Sequence, residues 1–162
     1  MPSLLRKFTN YPYLMYLLRC IIGFLIGYSL MLLFPEHDFF WTLLSIILVI
    51  SPDENDARKI TVERVKSNLI GSISGLIVFF LPVDTIYKVV IGIVITVLVC
   101  QYFRLINVAR SAIVAVIIIL VEPHTEIVLL PIDRFLAVAL GCVIGLLVTL
   151  VTSFLKNSII KR

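Results

Sequence analysis

Six apolar runs, each closed by a proline or by a charged residue, fill this chain and constrain what it can become. They cover residues 13–34, 39–51, 67–81, 86–103, 107–121 and 132–155. A bilayer presents roughly 30 Å of hydrocarbon and a helix rises about 1.5 Å per residue, so most of these runs approach crossing length. Pro35, Pro52, Pro82, Pro123 and Pro131 all lie between or beside the runs rather than within them. That is expected where every backbone N–H must find its partner inside its own helix. Composition agrees, since 60% of the 162 residues are hydrophobic and mean hydropathy is +1.11. A soluble domain sits near ~45–50% apolar. The expectation is an all-α, polytopic membrane protein with six transmembrane helices in one membrane domain, residues 1–162. Residues 1–12 set Leu4, Leu5, Phe8 and Tyr11 beside Arg6 and Lys7, and read as an interfacial segment. The first run is too long for a secretory leader and precedes no small-residue cleavage site, so it reads as retained.

Charge supplies an orientation. With the N-terminus cytoplasmic and six alternating spans, the cytoplasmic segments hold twelve of the fourteen basic residues. Only Lys88 and Arg134 fall outside. This split follows the positive-inside rule and predicts that both termini are cytoplasmic. It also accounts for the net charge of +4 without nucleic acid, because the cations follow topology rather than gathering with aromatics on one face. Trp41, Tyr11, Tyr13 and Tyr16 lie near span ends, where aromatic belts form.

A repeat runs through the chain at an offset of about 70 residues. Glu63-Arg64, six residues, then Gly71-x3-Gly75-Leu76-x-Val78 recurs as Asp133-Arg134, six residues, then Gly141-x3-Gly145-Leu146-x-Val148. Arg19-x3-Gly23 is echoed by Lys88-x3-Gly92, and the aliphatic run ending Ser51-Pro52 by the one ending Glu122-Pro123. Three helices followed by three related helices, at about 13–81 and 86–155, must lie in opposite senses because three is odd. The prediction is a 3+3 inverted repeat, a recurring plan of secondary transporters. All seven glycines lie inside runs, where a missing side chain lets helices approach closely in lipid. The second and fifth runs have only 13 and 11 residues between flanking polar groups, both short of a full crossing of roughly 20 residues. Matched short segments in the two halves have two readings: a transport site, or helices that extend into their polar flanks.

The short aliphatic helix closing in Ser51-Pro52, the Arg-led helix with Gly71-x3-Gly75, and the final helix with Asp133-Arg134 and Gly141-x3-Gly145 resemble a known module. It is the membrane unit of the fusaric-acid-resistance-like (FUSC) and aromatic acid exporter family, which is similar in turn to plant aluminium-activated malate transporters. The resemblance covers about residues 17–155. This sequence carries one six-helix unit and no large cytoplasmic domain. The resemblance implies efflux or conduction of organic anions, often aromatic carboxylates, by a homodimer in a bacterial inner membrane.

An anion crossing a bilayer needs fixed positive charge or helix N-termini in place of its water. The candidate solute-binding residues are Arg19, Lys88, Arg110, Arg134 and Arg64, all at or near span ends, with Asn68 on the third span. Arg64 and Arg134 are expected in first helical turns, where Glu63 and Asp133 suit the dipole. Arg110 leads the set, because Asn107, Arg110 and Ser111 open the short fifth run and a guanidinium grips carboxylate bidentately. Each arginine also has a plainer reading, snorkelling to headgroups or pairing with the nearby acids. Ser72 and Ser74 read as added hydrogen-bonders or as packing residues. Glu122 and His124 are placed for proton coupling, or belong to a solvated acidic outer loop with Glu36, His37, Asp38, Asp84, Glu126 and Asp133.

No Ser-His-acid or Cys-His set, phosphate loop or metal-ligand cluster is legible, so neither enzymatic activity nor a cofactor is expected. Cys20, Cys100 and Cys142 lie apart in apolar runs and read as small core residues. Two functions compete: an anion exporter or channel acting as a homo-oligomer, and a non-transporting membrane scaffold that assembles with a separate partner. Inverted repeats favour the first; the missing cytoplasmic domain and abundant glycine packing faces motivate the second.

Overall fold

The computed structural model describes residues 11–35, 39–121 and 130–160, except for the side chains of 11, 12, 130, 131 and 156–160. Residues 1–10 of the expected interfacial segment, the loop residues Glu36, His37, Asp38, Glu122, His124 and Glu126, and the cations Arg6, Lys7, Lys161 and Arg162 lie outside the described residues, while Tyr11 and Pro12 already belong to a helix. Six α-helices are present among those described: α1 Tyr11–Leu33, α2 Phe40–Val49, α3 Glu54–Phe79, α4 Thr85–Tyr102, α5 Ala109–Val121 and α6 Leu130–Ile160. A 3-10 turn, Ile106–Val108, leads into α5.

Among the described residues, three helices are long and apolar enough to cross a membrane, over Tyr13–Leu33, Thr85–Tyr102 and Ile132–Leu155. The helices Phe40–Val49 and Ile106–Val121 are apolar but shorter. Large apolar side chains stand exposed along them, including Leu17, Ile21 and Leu25 on α1 and Ile86, Val90, Val94 and Leu98 on α4. Hydrocarbon is the solvent such faces fit.

The third helix departs from expectation. It begins at Glu54, so the polar residues before the apolar run are helical too. Pro52 ends the preceding element, and the Asp53 carboxylate accepts the Asn55 backbone N–H at 2.7 Å, an N-terminal cap. Glu54 and Asp56 then sit in the first turn, where the helix dipole favours acids. Glu63-Arg64 therefore lies about three turns into α3, not in its first turn. Asp133 does sit in the first turn of α6. At the other end of α4, Arg104 takes a positive φ of 55°. The Leu105 N–H reaches the Cys100 carbonyl at 2.7 Å and the Arg104 N–H reaches that of Gln101 at 3.1 Å. This closes the helix with a Schellman motif whose left-handed residue is an arginine instead of glycine.

The chain divides into two compact units, Met1–Thr61 with Ala137–Arg162, and Val62–Leu136. The first holds α1, α2, the opening turns of α3 and most of α6. The second holds the rest of α3, α4, α5 and the start of α6. Each unit thus takes its third helix from the opposite sequence repeat.

Inside each unit the glycines set the packing. A methyl group on Gly71 would lie 2.6 Å from both the Ala112 carbonyl oxygen and the Ala115 Cβ, so α3 meets α5 backbone to backbone. In the first unit Gly141 makes the same approach to α2, where an added methyl would run into the Thr42 carbonyl oxygen and lie 2.7 Å from the Ser45 Cβ. Gly75 faces Ile119 as Gly145 faces Ile46 and Val49, and Gly92 faces Val116 and Leu120 as Gly23 faces Ile46 and Ile50. Partners in one unit sit 70 positions from their counterparts in the other. Around these seams, Ile46, Ile50 and Val148 form one buried cluster and Cys100, Ala109 and Ala112 another.

Candidate functional site

Arg19, in the middle turns of α1, is 2% exposed. Its Nη1 donates to the Ser51 carbonyl at 2.6 Å and the Pro52 carbonyl at 3.0 Å, just beyond α2. Its Nε donates to the Thr152 hydroxyl at 2.8 Å, and its Nη2 to the Ser153 hydroxyl at 2.6 Å, both on α6. A guanidinium has five N–H donors, so these four bonds use most of its capacity. The cation neutralises the negative end of the short helix and ties it to two others within the first unit.

Lys88, its counterpart in the repeat, does related work in the second unit. Its Nζ donates at 3.0 Å to the carbonyl of Phe79, the last residue of α3, and lies 5.2 Å from the centre of the Phe79 ring. A carbonyl at a helix end and an aromatic face both attract an ammonium. Arg19 and Lys88 thus act as caps on helix C-termini.

The remaining candidates all belong to the second unit. Arg64 is half-buried and Arg134 is 9% exposed, and both are engaged in interactions. Arg110 opens α5 and is exposed, as are Asn107 and Ser111 beside it. Asn68 is 6% exposed, one turn along α3 from Arg64, and Ser72 follows one turn further at 6%. Spacing of four residues puts Arg64, Asn68 and Ser72 in one stripe on α3. The Asn68 Nδ2 and the Ser72 Oγ are enclosed and meet no hydrogen-bond partner among the described residues. Other buried hydroxyls of this unit behave otherwise: Ser67 donates to the Arg64 carbonyl at 2.9 Å and Thr96 to that of Gly92 at 2.7 Å.

The structure therefore brings Arg64 and Asn68 together, sets Arg19 in the other unit, and leaves Arg110 at an exposed helix start. Sequence reasoning did not find the carbonyls of Ser51 and Pro52 or the hydroxyls of Thr152 and Ser153 as partners of Arg19. Two adjacent hydroxyls deep in an otherwise aliphatic run were the available signal. Among the described residues, no group of three or more His, Cys, Asp or Glu is placed to hold a metal ion.

Long apolar helices with lipid-suited faces, seams of glycine, and cations drawn into the helical body together define an integral membrane protein of the polytopic helical class. Its sequence matches the fusaric acid resistance protein-like family over residues 15–148, and the chain belongs to that family. The family is one of membrane transporters, which gives the chain a general role in transport or efflux. No curated protein and no solved structure matches it.

Proposed function

We propose that this protein moves organic anions, aromatic carboxylates in particular, out across a bacterial inner membrane, as an exporter or channel built from more than one copy. Family membership over residues 15–148 is the observation that carries the reading. In this account the six helices are six spans with both termini cytoplasmic, arranged as two inverted three-helix repeats. Matched glycine contacts at a spacing of 70 positions support the duplication. Arg64, Asn68, Arg134 and Arg110 form the solute-binding set, while Arg19 and Lys88 hold helix ends in place, each within its own unit. Gly71, Gly75, Gly141 and Gly145 are packed against helices of the same chain, so these four glycine faces lend the scaffold alternative no support.

The test is solute flux in proteoliposomes, with benzoate-like and small dicarboxylate anions, comparing the native chain with Arg110→Ala and Arg64→Ala. Saturable or voltage-dependent flux that either substitution reduces about tenfold, the worth of one charged hydrogen bond, is the expected result. No flux of any anion from well-folded protein overturns the reading.

A further inference from the structure

Asn68 and Ser72 raise a problem that packing does not solve. Both lie inside the apolar run 67–81, both are nine-tenths buried, and each keeps an enclosed polar atom without a hydrogen-bond partner among the described residues. In lipid such a group has no bulk water to fall back on, so leaving it permanently unmet is unfavourable. The duplication supplies an internal control. The positions 70 residues on in α6 are Val138 and Cys142, 4% and 0% exposed. In α6 the equivalent buried places, flanked by the same glycine pair, are thus filled by an apolar and a weakly polar side chain. Ser45 Oγ on α2 is a further enclosed hydroxyl without a partner, but its Cβ is wedged against Gly141 and it stands alone. On α3 two such groups succeed each other one turn apart, above a half-buried arginine.

We infer that Asn68 and Ser72 form a two-rung ladder of hydrogen-bond donors along a water-filled stripe of α3, and that a carboxylate is the group which takes the place of that water. The identity of the solute rests on the transport reading; the wetness of the stripe does not. Side chains four residues apart on a helix are about 5–6 Å apart at Cβ. One carboxylate, accepting bonds of about 2.9 Å through its two oxygens, bridges that gap. Chloride, a single-point acceptor, does so less well. The amide and hydroxyl thus choose among anions, while Arg64 supplies the attraction common to all of them.

The experiment uses the full chain in proteoliposomes with Cys20, Cys100 and Cys142 replaced by alanine. Asn68→Cys and Ser72→Cys are introduced singly, with Ile73→Cys as the lipid-facing control, and a small charged thiol reagent is applied from water. Monodisperse elution checks each variant, and Ser72→Cys, which is nearly isosteric, carries the test if Asn68→Cys fails to fold. Labelling at 68 and 72 about tenfold or more faster than at 73, slowed by benzoate but not by equal chloride, is expected. Labelling no faster than at 73 means a dry packing seam and overturns the proposal. Labelling that benzoate and chloride affect alike overturns the carboxylate assignment. If the stripe labels and benzoate protects it while native protein carries no anion, the transport reading fails and the ladder stands.

Discussion

The third and sixth helices are built on one plan and finished differently. Each carries arginine, then a glycine pair seven and eleven positions later, and each lays that pair on a short helix across small side chains, α3 on Ala112 and Ala115, α6 on Thr42 and Ser45. Between arginine and glycine the plans part. Beside the seam α3 holds Asn68 and Ser72, with enclosed polar atoms unmet, where α6 holds Val138 and Cys142. Shared features answer to packing, since a glycine seam works equally well in either half. The unshared ones answer to something that only one half is asked to do. On the proposed reading the two halves serve as a control inside the molecule, with the Asn68 and Ser72 stripe of α3, and not its counterpart at Val138 and Cys142, meeting the solute.

The largest expected effect tests the shared part. Gly71→Leu and Gly141→Leu each force a branched side chain onto a backbone carbonyl, and both are expected to lower stability by roughly 3 kcal/mol or more, or to prevent folding. Thermal unfolding in detergent should show the two losses alike; a tolerated substitution at either site would break the equivalence. The next effect sets the two capping cations against each other. Arg19→Met gives up four hydrogen bonds, two of them to carbonyls beyond the end of α2, and should cost about 3 kcal/mol, whereas Lys88→Met gives up one bond and should cost about 1 kcal/mol. Equal losses in the same unfolding assay would mean that Arg19's bonds contribute little.

Smaller changes sharpen the contrast between the stripes. Val138→Asn puts an amide into α6 where none is provided for, and should destabilise by about 1–3 kcal/mol. Asn68→Val removes one from α3 and should leave stability within about 1 kcal/mol of native, because no protein hydrogen bond among the described residues is lost with the amide nitrogen. Chemical denaturation of the two variants side by side would expose any error in sign. Smallest of all, Arg104→Gly relieves a left-handed arginine at the end of α4 and should raise stability by up to about 1 kcal/mol. A loss on calorimetry would show that the Arg104 side chain holds the loop in a way that its backbone angle conceals.

Much of this was legible in the residues. Proline placement and apolar length gave the starts and ends of α1, α4 and α5 to within two residues, because in lipid the hydrocarbon boundary and the helix boundary nearly coincide. The start of α3 was not found by the same rule. Its first turns are polar, so a search for apolar runs passes over them, although Asp53 before Glu54 and Asp56 is a legible N-terminal signal. Arginines near span ends were visible as cations, but their employment was not. Whether a guanidinium faces solute or caps a helix depends on carbonyls and hydroxyls brought from 32 to 134 positions away, as at Arg19. The glycine pairs announced close packing without naming the partner helix. That partner lies in the other repeat, which no local pattern specifies.

Anion flux after exchanging one stripe for the other tests the central claim most directly. Asn68→Val combined with Ser72→Cys gives α3 the side chains of α6, and the double variant is reconstituted beside the native chain with benzoate as solute. The account predicts a variant as stable as the native protein that carries benzoate at least about tenfold more slowly. Benzoate flux equal to native, from a variant of equal stability, would contradict it and return the polar stripe to packing.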